Sequence, residues 1–231
     1  MNSKQKISLF LNIIIVIFCI IGCILCFGGI RFVDVPLLDH GIRNLKFFTV
    51  QSNIFAGIMS AVYVFCLIKQ KNTNKPIPTT VNVLKFIATI DLAITFLVVA
   101  CFLGFLVEQG YWSLFVNANL LFHLFIPLIG FVSFVIYEDT PLFRFSFTFV
   151  GLIHIFLYSI FYYCVVLTHM QDGVVDLKYD WYAFAQLGLP MSFVFALILF
   201  GLAYLASFTI YKLNNKFAMT KKPNNTNPDI V

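Results

Sequence analysis

The sequence predicts an all-α membrane protein, a bundle of six transmembrane helices with both termini cytoplasmic. Three observations carry this expectation. The chain of 231 residues is 61% hydrophobic and 11% charged, whereas a soluble domain is about half apolar and about a quarter charged. Its apolar residues gather into six runs, each long enough to cross a hydrocarbon core of ~30 Å at ~1.5 Å per residue. Its basic residues flank those runs unevenly: 11 of the 15 lie in the tails and even-numbered connections, Lys85 included, and four (Arg31, Arg43, Lys46 and Lys178) in the odd-numbered ones. The positive-inside rule then places both termini in the cytoplasm, in a cell membrane. The same distribution excludes nucleic acid as a partner despite a net charge of +5, because the charges form no patch apart from the spans.

The spans follow in order. Residues 7–27 are an uninterrupted apolar run behind a short basic tail. The run is too long for a signal-peptide h-region and lacks a small-residue cleavage site, so it is expected to be retained. The second span covers 46–68 and is followed by a polar segment broken by Pro76 and Pro78. The third covers 83–107, with a turn at 108–111. The fourth covers 112–137 and contains Asn117, Asn119, His123 and Pro127; Glu138 to Pro141 breaks it. The fifth covers 145–168 and the sixth 183–211, separated by a polar loop holding Asp172, Asp176, Asp180 and Trp181. Residues 212–231 read as a Lys- and Asn-rich disordered tail. All six cysteines lie within spans, which gives no disulfide framework. Cys19, Cys23 and Cys26 share a helical face, better suited to packing than to a metal. The four histidines lie in separate segments without ligand spacing, and no phosphate loop is present, so no metal or cofactor is expected.

The second span opens unusually, with Lys46-Phe47-Phe48-Thr49-Val50-Gln51-Ser52-Asn53. Polar side chains in a bilayer need receivers. At ~100° per residue Thr49, Ser52, Asn53, Ala56, Gly57 and Ser60 share one arc, and Gln51 points elsewhere. Small and polar stripes of this kind also serve close helix packing. On the fourth span Asn119 and His123 share a face, and Pro127 clashes with the His123 carbonyl four residues back, so a kink is expected there. Asp91 should be protonated or paired, and His154 lies at a depth that suits it. Thr49 and His123 fall at one depth only if the second helix begins near residue 42 and the apolar part of the fourth near 117. Starts at 46 and 112 leave them ~5 and ~16 Å down.

Phe-Phe-Thr opening the second span, the lone histidine of the fourth and six spans with cytoplasmic termini resemble the androgen-induced and androgen-dependent TFPI-regulating membrane proteins. These are threonine hydrolases that cleave fatty acid esters of hydroxy fatty acids. The fuller pattern, Thr49-x-x-Ser52-Asn53, His123 to Pro127 and Asp180-Trp181-Tyr182, is more similar to bacterial six-span relatives of that family. The resemblance implies Thr49 as nucleophile, His123 as its general base, Asn119 or Asp91 orienting the imidazole, and Ser52 or Asn53 donating to an oxyanion. It also implies a lipid ester held in a Phe-rich interior among membrane lipids. Two other readings stand beside it: a proton-coupled transporter using Asp91, His154 and His123, and a structural or accessory membrane protein. The residues fix neither the choice among them nor the oligomeric state.

Overall fold

The computed structural model describes residues 1–34, 41–103 and 110–221, the side chains of 219–221 excepted. Pro36, Asp39 and His40 of the first loop, Glu108 of the second turn and the tail beyond Lys221 lie outside the described residues. Six helices are long and apolar enough to cross a membrane: α1 (Ser3–Phe27), α2 (Phe48–Thr73), α3 (Thr79–Leu103), α4 (Ala118–Tyr137), α5 (Phe147–Thr168) and α6 (Leu189–Ala218). No strand is found among the described residues. The fold is therefore all-α, and the chain is an integral, multi-pass membrane protein.

Local chemistry sets the ends of the helices. Asn2 and Gln5 exchange side chain-to-backbone bonds in a capping box at the start of α1. Asn74, left-handed at φ 55°, ends α2, and Pro78 precedes α3. Helix α4 begins at Ala118, later than the apolar pattern suggests. Residues Tyr111–Phe115 form a 3-10 turn, and Asn117 has φ 54°. The Asn117 side chain pays that backbone strain back by bonding the Phe32 and Val33 amides and the Val33 carbonyl of the first loop. Helix α6 also starts later, at Leu189, and continues through Lys221, so residues 212–221 are helix and not tail. Asn214 there is buried against Thr140, and Asn215 bonds the Phe143 backbone in both directions.

Helix α3 is central, touching α2, α4, α5 and α6. The α1–α2 seam is tight: a Cβ on Gly57 would stand 2.5 Å from Cys19 Sγ. We call the side holding Ser3 and Lys221 the terminal side and the other the distal side. Near the terminal side lies an ion pair that the sequence hides. Lys85 enters the positive-inside count as a flanking charge, yet its side chain is 4% exposed and its Nζ is 3.1 Å from Glu138 Oε1, which is fully buried. Lys85 also donates to Asn12 Oδ1 at 2.8 Å and Ser60 Oγ at 3.1 Å. Glu138 accepts from Asn12 Nδ2 at 3.0 Å and Ser133 Oγ at 2.9 Å. One cluster thus ties α1, α2, α3 and α4 together. Removing Lys85 from the basic residues counted as flanking leaves the terminal-side excess in place.

Breaking a buried pair from one side strands a charge and costs about 3–5 kcal/mol, whereas replacing both partners can be nearly neutral. Lys85→Met is therefore expected to lower the thermal unfolding temperature in detergent sharply, and Lys85→Met/Glu138→Gln to recover most of the loss. Equal destabilisation by the single and the double variant would show that the pair is not what joins these helices.

Candidate functional site

The polar opening of α2 is received by three other helices. Ser52 Oγ lies 3.0 Å from Thr95 Oγ1 on α3. Asn53 Nδ2 donates to the Thr49 carbonyl at 2.8 Å and to the Phe122 carbonyl on α4 at 3.0 Å, and the Asn53 carbonyl lies 3.5 Å from Cys19 Sγ on α1. Gln51, on the opposite arc, finds the Leu45 carbonyl at 2.7 Å.

The Phe122 carbonyl is available because of Pro127. Residues Leu121–Phe125 form a π turn in which the Ile126 amide bonds to Leu121 O, five residues back. In that register the Phe122 carbonyl should receive the amide of residue 127, which proline lacks. Asn53 supplies the missing donor. The carbonyl that Asn53 reaches is thus one residue before the His123 carbonyl against which the proline ring was expected to clash, because the helix is wound i→i+5 at this point.

Helical phase then places the Thr49 side chain. Ser52 lies about 60° to one side of it and contacts α3; Asn53 lies about 40° to the other and contacts α4. Thr49 accordingly faces the seam between α3 and α4. His123, next to Phe122, is buried, with its Nδ1 2.6 Å from the Leu114 carbonyl. A carbonyl cannot donate, so Nδ1 carries the proton of the neutral ring and Nε2 is the basic nitrogen. No hydrogen bond links Thr49 to His123 among the described contacts.

Thr49 also lies on the wall of a cavity of about 310 Å³ between α3, α5 and α6 on the distal side. His123 is not part of that wall. The distal rim is built by the Asp180-Trp181-Tyr182 segment. Asp180 is buried and accepts from Tyr162 Oη, the Ala185 amide and Gln186 Nε2. Trp181 Nε1 donates to Tyr158 Oη at 3.1 Å. Tyr182 Oη accepts the Phe48 amide at 2.9 Å, so this loop caps the first turn of α2. Ala183, on the cavity wall, holds a left-handed φ of 58°. Non-glycine strain of this kind persists where surrounding contacts fix it. Burial holds the Tyr182 phenol above its ordinary pKa, so at neutral pH it stays a donor.

The remaining expected residues fall differently. Asp91 and His154 form the pair the sequence allows, with His154 Nδ1 2.6 Å from Asp91 Oδ2. They lie one turn deeper than the cavity residues Thr95 and Tyr158, so Asp91 orients His154 and not His123. Asn119 is buried beside His123 in sequence but makes no side-chain hydrogen bond to it; the Leu114 carbonyl takes the orienting place. Ser52 and Asn53 were expected as oxyanion donors. Both amide hydrogens of Asn53 are committed to carbonyls, and the Ser52 hydroxyl is engaged by Thr49 O and Thr95. Among the described residues no group of three metal-ligating side chains occurs. Tyr182 enters the sequence reading only within the Asp180-Trp181-Tyr182 pattern and without a role, and nothing in the sequence marks the Leu114 carbonyl.

Protein-family models, curated proteins and solved structures give no match to this chain. The site stands on its geometry.

If Pro127 creates the vacancy that Asn53 fills, the two residues must be energetically coupled. Asn53→Ala should cost about 1–3 kcal/mol through the buried carbonyl left unpaired. In a Pro127→Ala background the new amide serves that carbonyl, and the cost of Asn53→Ala should fall by at least ~0.5 kcal/mol. Unfolding of the four proteins in one detergent measures this cycle, and strict additivity would refute the coupling.

Proposed function

We propose that this membrane protein hydrolyses a lipid ester, with Thr49 as nucleophile and His123 as general base. The observation that carries the reading is the Asn53 bridge, which joins the Thr49 turn of α2 to the His123 turn of α4 while Thr49 borders the distal cavity. The resemblance of Phe48-Thr49 and His123 to the threonine lipid hydrolases agrees with it, as does the partly aromatic lining of the cavity. The termini are assigned to the cytoplasm of a cell membrane by the basic bias, which makes the distal side the outer one.

A threonine hydroxyl is a weak nucleophile until a base takes its proton. In this reading His123 Nε2 comes within hydrogen-bond reach of Thr49 Oγ1 in the substrate complex and accepts the proton as Oγ1 attacks the ester carbonyl. The bond to the alcohol oxygen breaks, His123 returns the proton to it, and the acyl group rests on Thr49 as an ester. Water, deprotonated by the same imidazole, attacks that ester; the bond to Oγ1 breaks, His123 returns the proton to Oγ1, and the fatty acid leaves. The oxyanion needs a donor, and Tyr182 is the group placed to supply one. Tyr182 Oη accepts from the Phe48 amide at 2.9 Å and, at a long 3.3 Å, from Tyr158 Oη, whose shorter bond of 2.6 Å goes to the Lys46 carbonyl; the Tyr182 proton is then left for the cavity that the residue lines. Loss of one such donor typically costs about 100- to 1,000-fold in rate.

A fluorophosphonate probe on the purified protein tests this directly. Labelling and hydrolysis of a 4-nitrophenyl acyl ester are expected in the native protein and in Thr49→Ser, and are expected to vanish in Thr49→Ala. Tyr182→Phe should slow turnover by at least ~100-fold while leaving the protein folded. Labelling that persists in Thr49→Ala removes Thr49 as nucleophile.

A further inference from the structure

The cavity has the length of a medium alkyl chain, and the polar groups left open to it stand at one end. Its wall on α3 runs from Ile94 to Leu103 and on α5 from Ile155 to Tyr163, or ~12–14 Å along the helix axes at ~1.5 Å per residue. A cavity of about 310 Å³ has room for an alkyl chain along that length. An extended chain of ten carbons is ~11 Å long, given a C–C bond of ~1.5 Å and tetrahedral angles. The length of the wall therefore matches a chain of about ten carbons.

Polarity gives the direction. The hydroxyls of Ser159, Tyr163 and Tyr162 are spent on the Ile155 carbonyl, Ser192 and Asp180, and that of Thr95 meets Ser52. Thr49 and Tyr182, at the distal end, are the wall groups left to meet a ligand. Ile94, Ile155 and Phe200 are the wall residues nearest the terminal side on their helices. Immediately beneath them His154 is locked to Asp91, and a Cβ on Gly151 would stand 2.3 Å from Ile90 Cδ1, so no room continues below.

We propose that the cavity is a chain-length gauge for a single saturated acyl group of about ten carbons, carbonyl at Thr49 and methyl end on Phe200. This specificity rests on the ester-hydrolase reading for its carbonyl end, but chain binding is separable from turnover. The substrate class is then an ester of a medium-length acid, one whose acyl chain lies along the helices as it would in the adjoining leaflet.

Competition between saturated fatty acids of six to eighteen carbons and a fluorescent fatty acid, on detergent-solubilised Thr49→Ala protein, reads this out without hydrolysis. Affinity is expected to peak near ten carbons. Ala196→Phe should move the peak about three carbons shorter, and Phe200→Ala about three longer, each substitution changing the space by roughly three water volumes. Opposite shifts in two variants cannot arise from general damage. Affinity that climbs steadily to eighteen carbons, or a peak unmoved by either variant, overturns the gauge. A peak near ten carbons in a protein that hydrolyses nothing keeps the gauge and discards the hydrolase. Hydrolysis indifferent to chain length does the reverse.

Discussion

A proline with no amide hydrogen sets the geometry on which the candidate site depends. Pro127 leaves the Phe122 carbonyl without a helical donor, and in an apolar medium a buried carbonyl must be served from elsewhere. Asn53 serves it across the α2–α4 interface at 3.0 Å and holds the Thr49 carbonyl with its other hydrogen. That one side chain fixes the rotation of α2 about its axis and its height against α4. By helical phase Thr49 therefore turns toward the α3–α4 seam, and it borders the distal cavity. A soluble protein could leave the same carbonyl to water; a membrane interior has no such option.

The same constraint recurs through the bundle. Lys85 and Glu138 could not remain singly at the helix junction, and they recruit Asn12, Ser60 and Ser133 until every ammonium hydrogen has an acceptor. Asp91 is received by His154, and Asp180 by Tyr162 and Gln186. Because lipid tails are as apolar as the helices, hydrophobic burial gives little reason for one helix to choose another. Hydrogen-bonded pairs and close contacts such as Gly57 on Cys19 supply the choice. The outcome is a terminal half that is polar and locked, and a distal half that holds a cavity.

Much of this was legible in the sequence. Apolar run length gave six helices, and the 100° phase of Thr49, Ser52 and Asn53 gave the inward arc with Gln51 outside it. Depth gave the Asp91–His154 partnership. Other features were hidden for physical reasons. The π turn at His123 shifts the proline's effect by one residue, and periodicity carries no sign of such a shift. Lys85 reads as a flanking charge because its partner, Glu138, is 53 residues away in another helix. Residues 112–117 are apolar enough for a span, yet Asn117 takes a left-handed conformation stabilised by the first loop. Residues 212–221 look like a tail because their buried contacts, Asn214 and Asn215 on the α4–α5 connection, are polar.

The proposed hydrolase requires the side chains of Thr49 and His123 to come within reach of each other beside the Asn53 bridge. Zinc tests that distance most directly, since it binds a thiolate at ~2.3 Å and an imidazole nitrogen at ~2.0 Å. In a protein whose six native cysteines are replaced by alanine, Thr49→Cys introduces one thiol whose alkylation rate can be followed. Zinc is expected to slow that alkylation; adding His123→Ala should abolish the protection, and adding His154→Ala should leave it. Alkylation unaffected by zinc, or protection that survives His123→Ala, would contradict the proposal.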